Sequence, residues 1–447
     1  MTKVITYGTY DLFHYGHRRL LERAKALGDY LIVGVTADDF DKARGKINVE
    51  QSLMERIEAV KKTGLADEVI VEEYEGQKID DIQRYDVDIF AIGSDWVGKF
   101  DYLNEYCKVV YLDRTQGVSS TEIRAERNLV RFGLVGKYAG IYKYANESKY
   151  VNGLEVIAAL VDDNERFANS YPDVQLVADN YNQLLENVDA VYIVSHPSKH
   201  YEHIKTALEN GKHVLCESPI ALTIEQYEEL TKLAYEHKVI LMDAIKTAYS
   251  MAYNRLILLL KGGKIGRIVS VDAVCTSLKD LQNSDHNDLD TKWNTMCAWG
   301  PTALLPIFQL MGPNYVSKQI TSSFIDKEKH FDSFTKVSFV YEHAVASIKV
   351  GKGVKSEGEL IISGTQGYVY VPAPWWKMDY FELRYEDSDR NKRYFYQLDG
   401  EGIRYELVQF VKSIETGRSS HYINSSVMEA IVKLVEDFYN DTDLIIL

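Results

Sequence analysis

Positive charge is the first thing this chain is short of. Its 447 residues carry 51 Lys and Arg against 66 Asp and Glu, a formal net charge of -15. That balance excludes a general nucleic-acid or anionic-membrane surface, and leaves room for a small basic pocket around a nucleotide. Cysteine is scarce too. Cys107, Cys216, Cys275 and Cys297 lack any close CxxC spacing, which argues against a disulfide framework and a cysteine zinc site. No apolar run approaches a membrane span, and the opening MTKVITYG lacks a signal-peptide h-region. These absences lead us to expect a soluble cytoplasmic protein with no nucleic-acid partner and no membrane insertion. No short-period repeat is present. What the chain does have is a 46% apolar fraction, ample for real cores.

The pattern of that apolar content divides the chain. Short β-rich runs (KVITYG, YLIVGVT, EVIV, DIFAIG, KVVYLDR) alternate with helical stretches near 17–27 and 53–62. Such alternation implies a parallel sheet covered on both faces, with ligands at the carboxyl ends of its strands. The pattern restarts at VRFGLVGKYAG and runs through GLEVIAALVD, DAVYIVS, KHVLCES and KVILMDA. After about Gly266 the strands lengthen into a texture of mostly antiparallel sheet, closed by a helix near 425–440. The expected fold is α/β throughout: a Rossmann-like domain over 1–128, a second Rossmann domain over 129–250, and an α+β open-sheet domain over 251–447.

Within the first domain, TYGTYDLFHYGH places His14 and His17 three residues apart where a strand gives way to a helix. Two imidazoles beside helix-start N–H groups suit anionic oxygens, and above all charge developing on a phosphoryl group. Gly16 admits a ligand close to the backbone. Asp11 can orient a histidine or help hold a metal bound to phosphate. Polar residues recur after later strands: Lys42, Arg44 and Lys46 in DKARGK, Arg56 in MERIEAV, Asp95 in IGSDWVGKFD, and Arg114, Gly117, Ser119, Ser120 and Thr121 in YLDRTQGVSSTEI. The last three hydroxyl residues can cap a helix and donate to phosphate. Each taken singly fits an ordinary loop or cap; their recurrence favours one shared pocket.

These stretches resemble bacterial glycerol-3-phosphate cytidylyltransferases over residues 1 to about 127. The resemblance implies a nucleotidyltransferase fold and catalytic roles for His14, His17, Lys46 and Arg114. It implies nucleotide contacts at Thr9, Tyr10, Asp11, Gly16, Arg56, Asp95, Gly117, Ser119, Ser120 and Thr121, with Mg²⁺ accompanying CTP and Asp11 near it. A polyol phosphate such as glycerol phosphate would attack CTP, giving a CDP-polyol and pyrophosphate. Cell-envelope or capsule synthesis is the role that follows.

The second half has a dehydrogenase outline with parts missing. A strict GxGxxG from Gly136 needs glycines where Tyr138 and Ile141 stand. Asp162, closing GLEVIAALVD, can accept from ribose hydroxyls and so favour NAD. DAVYIVSHPSKHYEHIKTALENGKHVLCESPIALT and KIGRIVSVDA resemble the glucose-fructose oxidoreductase/inositol dehydrogenase (Gfo/Idh/MocA) family. That resemblance implies NAD or NADP as cofactor, with Gly136, Asp162, Ser195, His200 and Glu217 around it, and a homo-oligomer paired through open terminal sheets. It also exposes substitutions. Ser218 stands where the family has a lysine, and Ala298 and Thr302 where it has an aspartate and a histidine. Serine supplies no cation and threonine no proton shuttle. Lys246, Lys355, Trp376 and Lys377 are the replacements the chain offers, for a carbonyl substrate such as a keto-phosphate. The other reading is a single cytidylyltransferase whose larger half binds, regulates or assembles without redox turnover.

Overall fold

The computed structural model describes residues 1–37, 49, 51–73, 76–113, 129–278, 289, 292–396, 398, 400–419 and 422–447. They form two compact units, Met1–Leu129 and Val130–Leu447.

The first unit runs β1 (Lys3–Gly8), α1 (Tyr15–Lys25), β2 (Tyr30–Thr36), α2 (Leu53–Lys61), β3 (Glu68–Glu72), α3 (Gln77–Tyr85), β4 (Ile89–Gly93) and β5 (Lys108–Leu112). All five strands are parallel, in the order β3-β2-β1-β4-β5. Helices on both faces explain why these strands are apolar throughout rather than alternating. Val4, Leu31 and Val33 face Leu21, Ala24 and Val60 on one side, while Ile5, Ile32 and Phe90 face Ile82 and Leu103 on the other. The winding direction reverses between β1 and β4. That reversal opens a crevice at the carboxyl ends of the two strands, the place where such sheets hold ligands.

The second unit begins with another parallel sheet. It comprises β6 (Val130–Gly136), α4 (Tyr138–Ser148), β7 (Leu154–Leu160), α5 (Asn164–Ser170), β8 (Leu176–Val177), α6 (Tyr181–Asn187), β9 (Ala190–Val194), α7 (Pro197–Glu209), β10 (His213–Glu217), α8 (Ile224–His237) and β11 (Leu241–Ala244). The order β11-β10-β9-β6-β7-β8 puts its reversal between β6 and β9. After α9 (Met251–Lys261) and β12 (Ile268–Leu278), helix α10 (Thr295–Met311) packs on a larger sheet. The other strands of that sheet are β13 (Ser317–Asp326), β14 (Phe331–Val340), β15 (Val345–Gly351), β16 (Gly353–Val354), β17 (Leu360–Gly364), β18 (Tyr368–Val371), β19 (Tyr380–Arg384) and β20 (Lys392–Phe395), and, beyond α11 (Ile403–Thr416) and α12 (Ser425–Tyr439), β21 (Leu444–Ile446). Most pairs are antiparallel, as the sequence implies. Two are not, because β12 runs parallel to β15 and β13 to β21. The α/β class is as expected, with two parallel sheets and one larger mixed open sheet. No helix among the described residues is long and apolar enough to cross a membrane.

Candidate functional site

The first crevice is lined by the turn between β1 and α1. Tyr10 and Leu12 both hold left-handed backbone conformations, with φ of 53° and 47°. Non-glycine residues hold such strain only where surroundings enforce it, commonly at functional sites. Burial enforces it here: Tyr10 is 1% exposed, its ring edge-on to His17 with centroids 5.5 Å apart. His14 then caps α1, its Nδ1 accepting from the Gly16 N–H at 3.0 Å. An accepting Nδ1 carries no proton, so the neutral ring presents Nε2–H as a donor. The His14 and His17 rings stack with centroids 3.9 Å apart. No acidic residue sits in the first turn of α1, so nothing there opposes an anion.

The turn is strapped from below. Asp11, 2% exposed, accepts the Gln51 N–H at 2.9 Å, and the Gln51 side chain accepts the Leu12 N–H at 2.8 Å. Asp11, expected beside a metal, is therefore engaged in holding the loop. Arg56, expected at the nucleotide, is fully buried and serves the backbone. Its Nη1 donates to the carbonyls of Thr9 at 2.7 Å and Thr36 at 2.9 Å, and its Nε to that of Gln51 at 3.1 Å. The guanidinium ties the ends of β1 and β2 to the start of α2 and is a positioning residue. Thr9 lies in this clamp, and exposed Asp95 follows β4 across the crevice. Lys46, Arg114, Gly117, Ser119, Ser120 and Thr121 lie outside the described residues, as do Lys42 and Arg44.

At the start of the second unit, Gly136 ends β6 where a Cβ would lie 2.9 Å from Ile141 Cγ2 and 3.0 Å from the Val194 carbonyl oxygen. A larger residue would push strand and helix apart. Asp162, expected to accept from a ribose, instead accepts the Tyr138 N–H at 2.7 Å. The Tyr138 ring lies beneath the Arg166 guanidinium at 4.5 Å, and its hydroxyl sits 3.1 Å from Ser170 Oγ. The tyrosine side chain thus packs on α5, a contact that glycine could not make. His200, expected at the cofactor, is fully buried, with Nδ1 2.8 Å from the Pro219 carbonyl and Nε2 2.8 Å from that of Ser195. Burial holds it down at about 4 against the pull of those carbonyls. It sits between the segments that follow β9 and β10, where the neutral ring can donate its one N–H to one of those carbonyls. Ser195 Oγ pairs with His203 Nδ1 at 3.0 Å.

The remaining candidates do gather. Glu217, at the end of β10, accepts hydrogen bonds from the hydroxyls of Tyr144 and Tyr192. Buried Ser218 follows, its Oγ without a hydrogen-bond partner. Lys246 follows the neighbouring strand β11 and lies 3.6 Å from Glu401, which Lys377 also meets at 2.6 Å. Trp376 packs on Trp299, and its carbonyl accepts from Thr247 at 3.1 Å. Lys355 is exposed and belongs to none of these contacts.

Residues 5–126 match the family model described as cytidylyltransferase-like, and residues 130–244 that described as oxidoreductase family, NAD-binding Rossmann fold. A glycerol-3-phosphate cytidylyltransferase of Bacillus spizizenii is 55% identical over 126 residues, 28% of this chain and 97% of the relative. Through its first unit, the chain belongs to the glycerol-3-phosphate cytidylyltransferase family. It is a CTP-dependent cytidylyltransferase. A D-xylose 1-dehydrogenase [NADP(+)] of Haloarcula marismortui is 26% identical over 273 residues, 57% of this chain and 76% of the relative. Among solved structures, KijD10, a 3-ketoreductase from Actinomadura kijaniata in complex with NADP and TDP-benzene, has a TM-score of 0.62. It covers 72% of this chain and 100% of its own, and at 18% identity it shows the fold alone.

The cytidylyltransferase unit holds features that its sequence hid. Gln51 is 40 residues from its partner Asp11. Under the strand ends lies a buried polar set: Thr36 donates to Glu72 at 3.0 Å, Lys78 pairs with Glu72, and Tyr7 donates to Asp81 at 2.8 Å. Polar residues closing apolar strands, as in YLIVGVT and EVIVE, are the one signal that pointed to it. Among the described residues no three His, Cys, Asp or Glu side chains gather to hold a metal, so no step is assigned to Mg²⁺. In the oxidoreductase-like unit, whose matching family model is NAD-binding, the turn after β6 carries Tyr138 where a strict fingerprint has glycine, and Asp162 holds the Tyr138 N–H. No step is derived through a nicotinamide either.

Proposed function

We propose that the first unit transfers a cytidylyl group from CTP to a polyol phosphate such as glycerol phosphate. An oxygen of the acceptor phosphate attacks the α-phosphorus, the bond to the bridging oxygen breaks, and pyrophosphate leaves with that electron pair. The nucleophile is already anionic, so no general base is compulsory, and alignment and charge stabilisation do the work. What carries this reading is the stacked histidine pair at the switch point, with His14 Nδ1 accepting the Gly16 N–H so that the ring proton sits on Nε2. His17→Ala should keep its fold and lose pyrophosphate release by about 10²–10³-fold, the usual weight of one oxyanion donor. Near-normal turnover by that variant would overturn the role.

For the second unit the reading is an NAD(P)-dependent reduction of a keto-phosphate to the polyol phosphate that the first unit then activates, in a cytoplasmic homo-oligomer serving cell-envelope or capsule synthesis. Specific observations favour a competing, non-redox binding role: Tyr138 in the dinucleotide turn and Ser218 at the lysine position. Absorbance at the nicotinamide band with candidate keto-phosphates separates the two. Failure of the protein to bind either cofactor would remove the redox reading.

A further inference from the structure

At the carboxyl end of the second unit's parallel sheet, Lys246 and Lys377 share one carboxylate, and Lys143 lies close enough for its charge to act on both Lys246 and that carboxylate. Lys143 comes from α4, Lys246 from the short 3-10 turn Lys246–Tyr249 after β11, and Lys377 from the turn Trp375–Lys377 after β18. Burial, followed by repulsion from Lys143 and Lys377, holds the Lys246 ammonium below the ordinary lysine range. Glu401 sits among them, its Oε2 2.6 Å from Lys377 Nζ and 3.6 Å from Lys246 Nζ. A hydrogen bond from Lys377, aided by Lys246 and Lys143, keeps that carboxyl below its usual value against burial.

The nearby acids do not neutralise the cluster. Glu406 is fully buried, bonded by the Tyr192 hydroxyl at 2.5 Å, and burial, with the charge of Glu217, pushes its carboxyl well up and so favours its neutral form. Glu217 and Glu401 are the carboxylates left facing three ammonium groups. Glu401 differs from Glu217 in standing free of the sheet. Its side chain is 43% exposed, and it lies between Gly400 and Gly402, both left-handed at φ of 58° and 79°. Withdrawing that one side chain removes the carboxylate that Lys246 and Lys377 share and opens its place to another anion, such as a phosphate monoester. Trp376, packed on Trp299 at 4.9 Å between ring centroids, adds an aromatic wall beside the lysines. Thr247, donating to the Trp376 carbonyl at 3.1 Å, ties the turn of Lys246 to that of Lys377.

We propose that Lys143, Lys246 and Lys377 form a binding site for the phosphate of a small phosphorylated substrate, and that Glu401 occupies it as a built-in placeholder which that phosphate displaces. This rests on the reading that the second unit takes a phosphorylated compound, and it assigns which residues recognise the phosphate. A carboxylate satisfies two of the ammonium groups, whereas a phosphate has three oxygens free to accept from all three.

Lysine-selective acylation of the full-length chain, read peptide by peptide in a mass spectrometer, tests the proposal without interference from phosphate bound in the first unit. Glycerol phosphate should slow acylation of Lys246 and Lys377, and glycerol at the same concentration should not. Glu401→Gln should lower the glycerol phosphate concentration giving half-protection by about tenfold, while Lys377→Met should raise it by at least about as much. Absence of protection in both the unmodified protein and Glu401→Gln overturns the site. Weaker protection in Glu401→Gln overturns the placeholder, since Glu401 would then belong to the site. Glu401→Gln changes no core packing, so the test survives if Lys377→Met fails to fold. Protection together with no oxidation of a reduced nicotinamide by keto-phosphates supports the phosphate site while removing the redox reading.

Discussion

Asp243 shows how a single buried acid shapes this protein's response to pH. It lies in β11 at 9% exposure, and burial raises its carboxyl to about 8, with Oδ1 lacking any hydrogen-bond partner. An ordinary aspartate titrates near about 3.9. Between those values the folded chain keeps a proton that the unfolded chain has released. The stability that Asp243 contributes is therefore complete below about pH 4 and is lost as the pH rises through its folded value. Asn cannot ionise, so Asp243→Asn should gain much more stability relative to the parent at pH 9 than at pH 5. Urea midpoints of the second unit at the two values decide it, and an equal effect at both would show that the carboxyl is not held neutral. His200 works with the opposite sign. Burial holds it down at about 4, so its contribution is present above the ordinary histidine value and fades as the pH falls.

Arg56 and Tyr138 act at the scale of elements. Three backbone carbonyls, those of Thr9, Thr36 and Gln51, converge on one guanidinium that is 0% exposed. Lysine has neither the planar fork nor the reach to serve all three. Arg56→Lys should cost the first unit about 2–4 kcal/mol in urea unfolding, the scale of unsatisfied buried groups. A loss under about 1 kcal/mol would show the clamp to be dispensable. In the second unit, Tyr138→Gly removes the ring beneath Arg166 and relaxes the turn held by Asp162. It should strengthen binding of a reduced nicotinamide dinucleotide by about tenfold, read by fluorescence titration. Unchanged or weaker binding would mean that the tyrosine is not the obstruction.

Those two elements also mark how far the sequence could be read. The strands were legible because burial on both faces leaves no alternation to confuse with helix. The start of α1 was legible to within two residues, since polar His14 precedes a helical pattern. Asp162 lies at the expected strand end, yet its partner is the backbone N–H of Tyr138, a group that the side-chain pattern of the sequence does not mark. Arg56 reads as a cation in a polar string, and nothing local tells that its partners lie at the ends of β1 and β2 and before α2. The lysine cluster was half legible. Lys246 and Lys377 stood out as substitutes for a missing cation, while Lys143 and Glu401 join them only through the packing of α4 and of the segment before α11. Contacts that close long loops leave no periodic trace in the chain.

At the scale of the whole molecule the fusion itself makes a demand that either activity alone does not. One chain carries a cytidylyltransferase and an oxidoreductase-like fold in which Lys246 and Lys377 share Glu401 beyond the strand ends. If the second unit makes what the first consumes, a keto-phosphate is an indirect substrate for CTP. Full-length protein given a keto-phosphate, a reduced nicotinamide dinucleotide, CTP and Mg²⁺ should then yield a CDP-polyol two mass units heavier than any adduct of the unreduced compound. Omitting the dinucleotide should abolish that product, and adding the polyol phosphate directly should restore it. Reduction of a carbonyl adds one hydride and one proton, so the mass shift follows from the stoichiometry and needs no assumption about mechanism. A chain that accepts the polyol phosphate yet leaves every keto-phosphate unreduced would separate the halves, leaving the lysine pocket as a place where phosphate is recognised without hydride transfer.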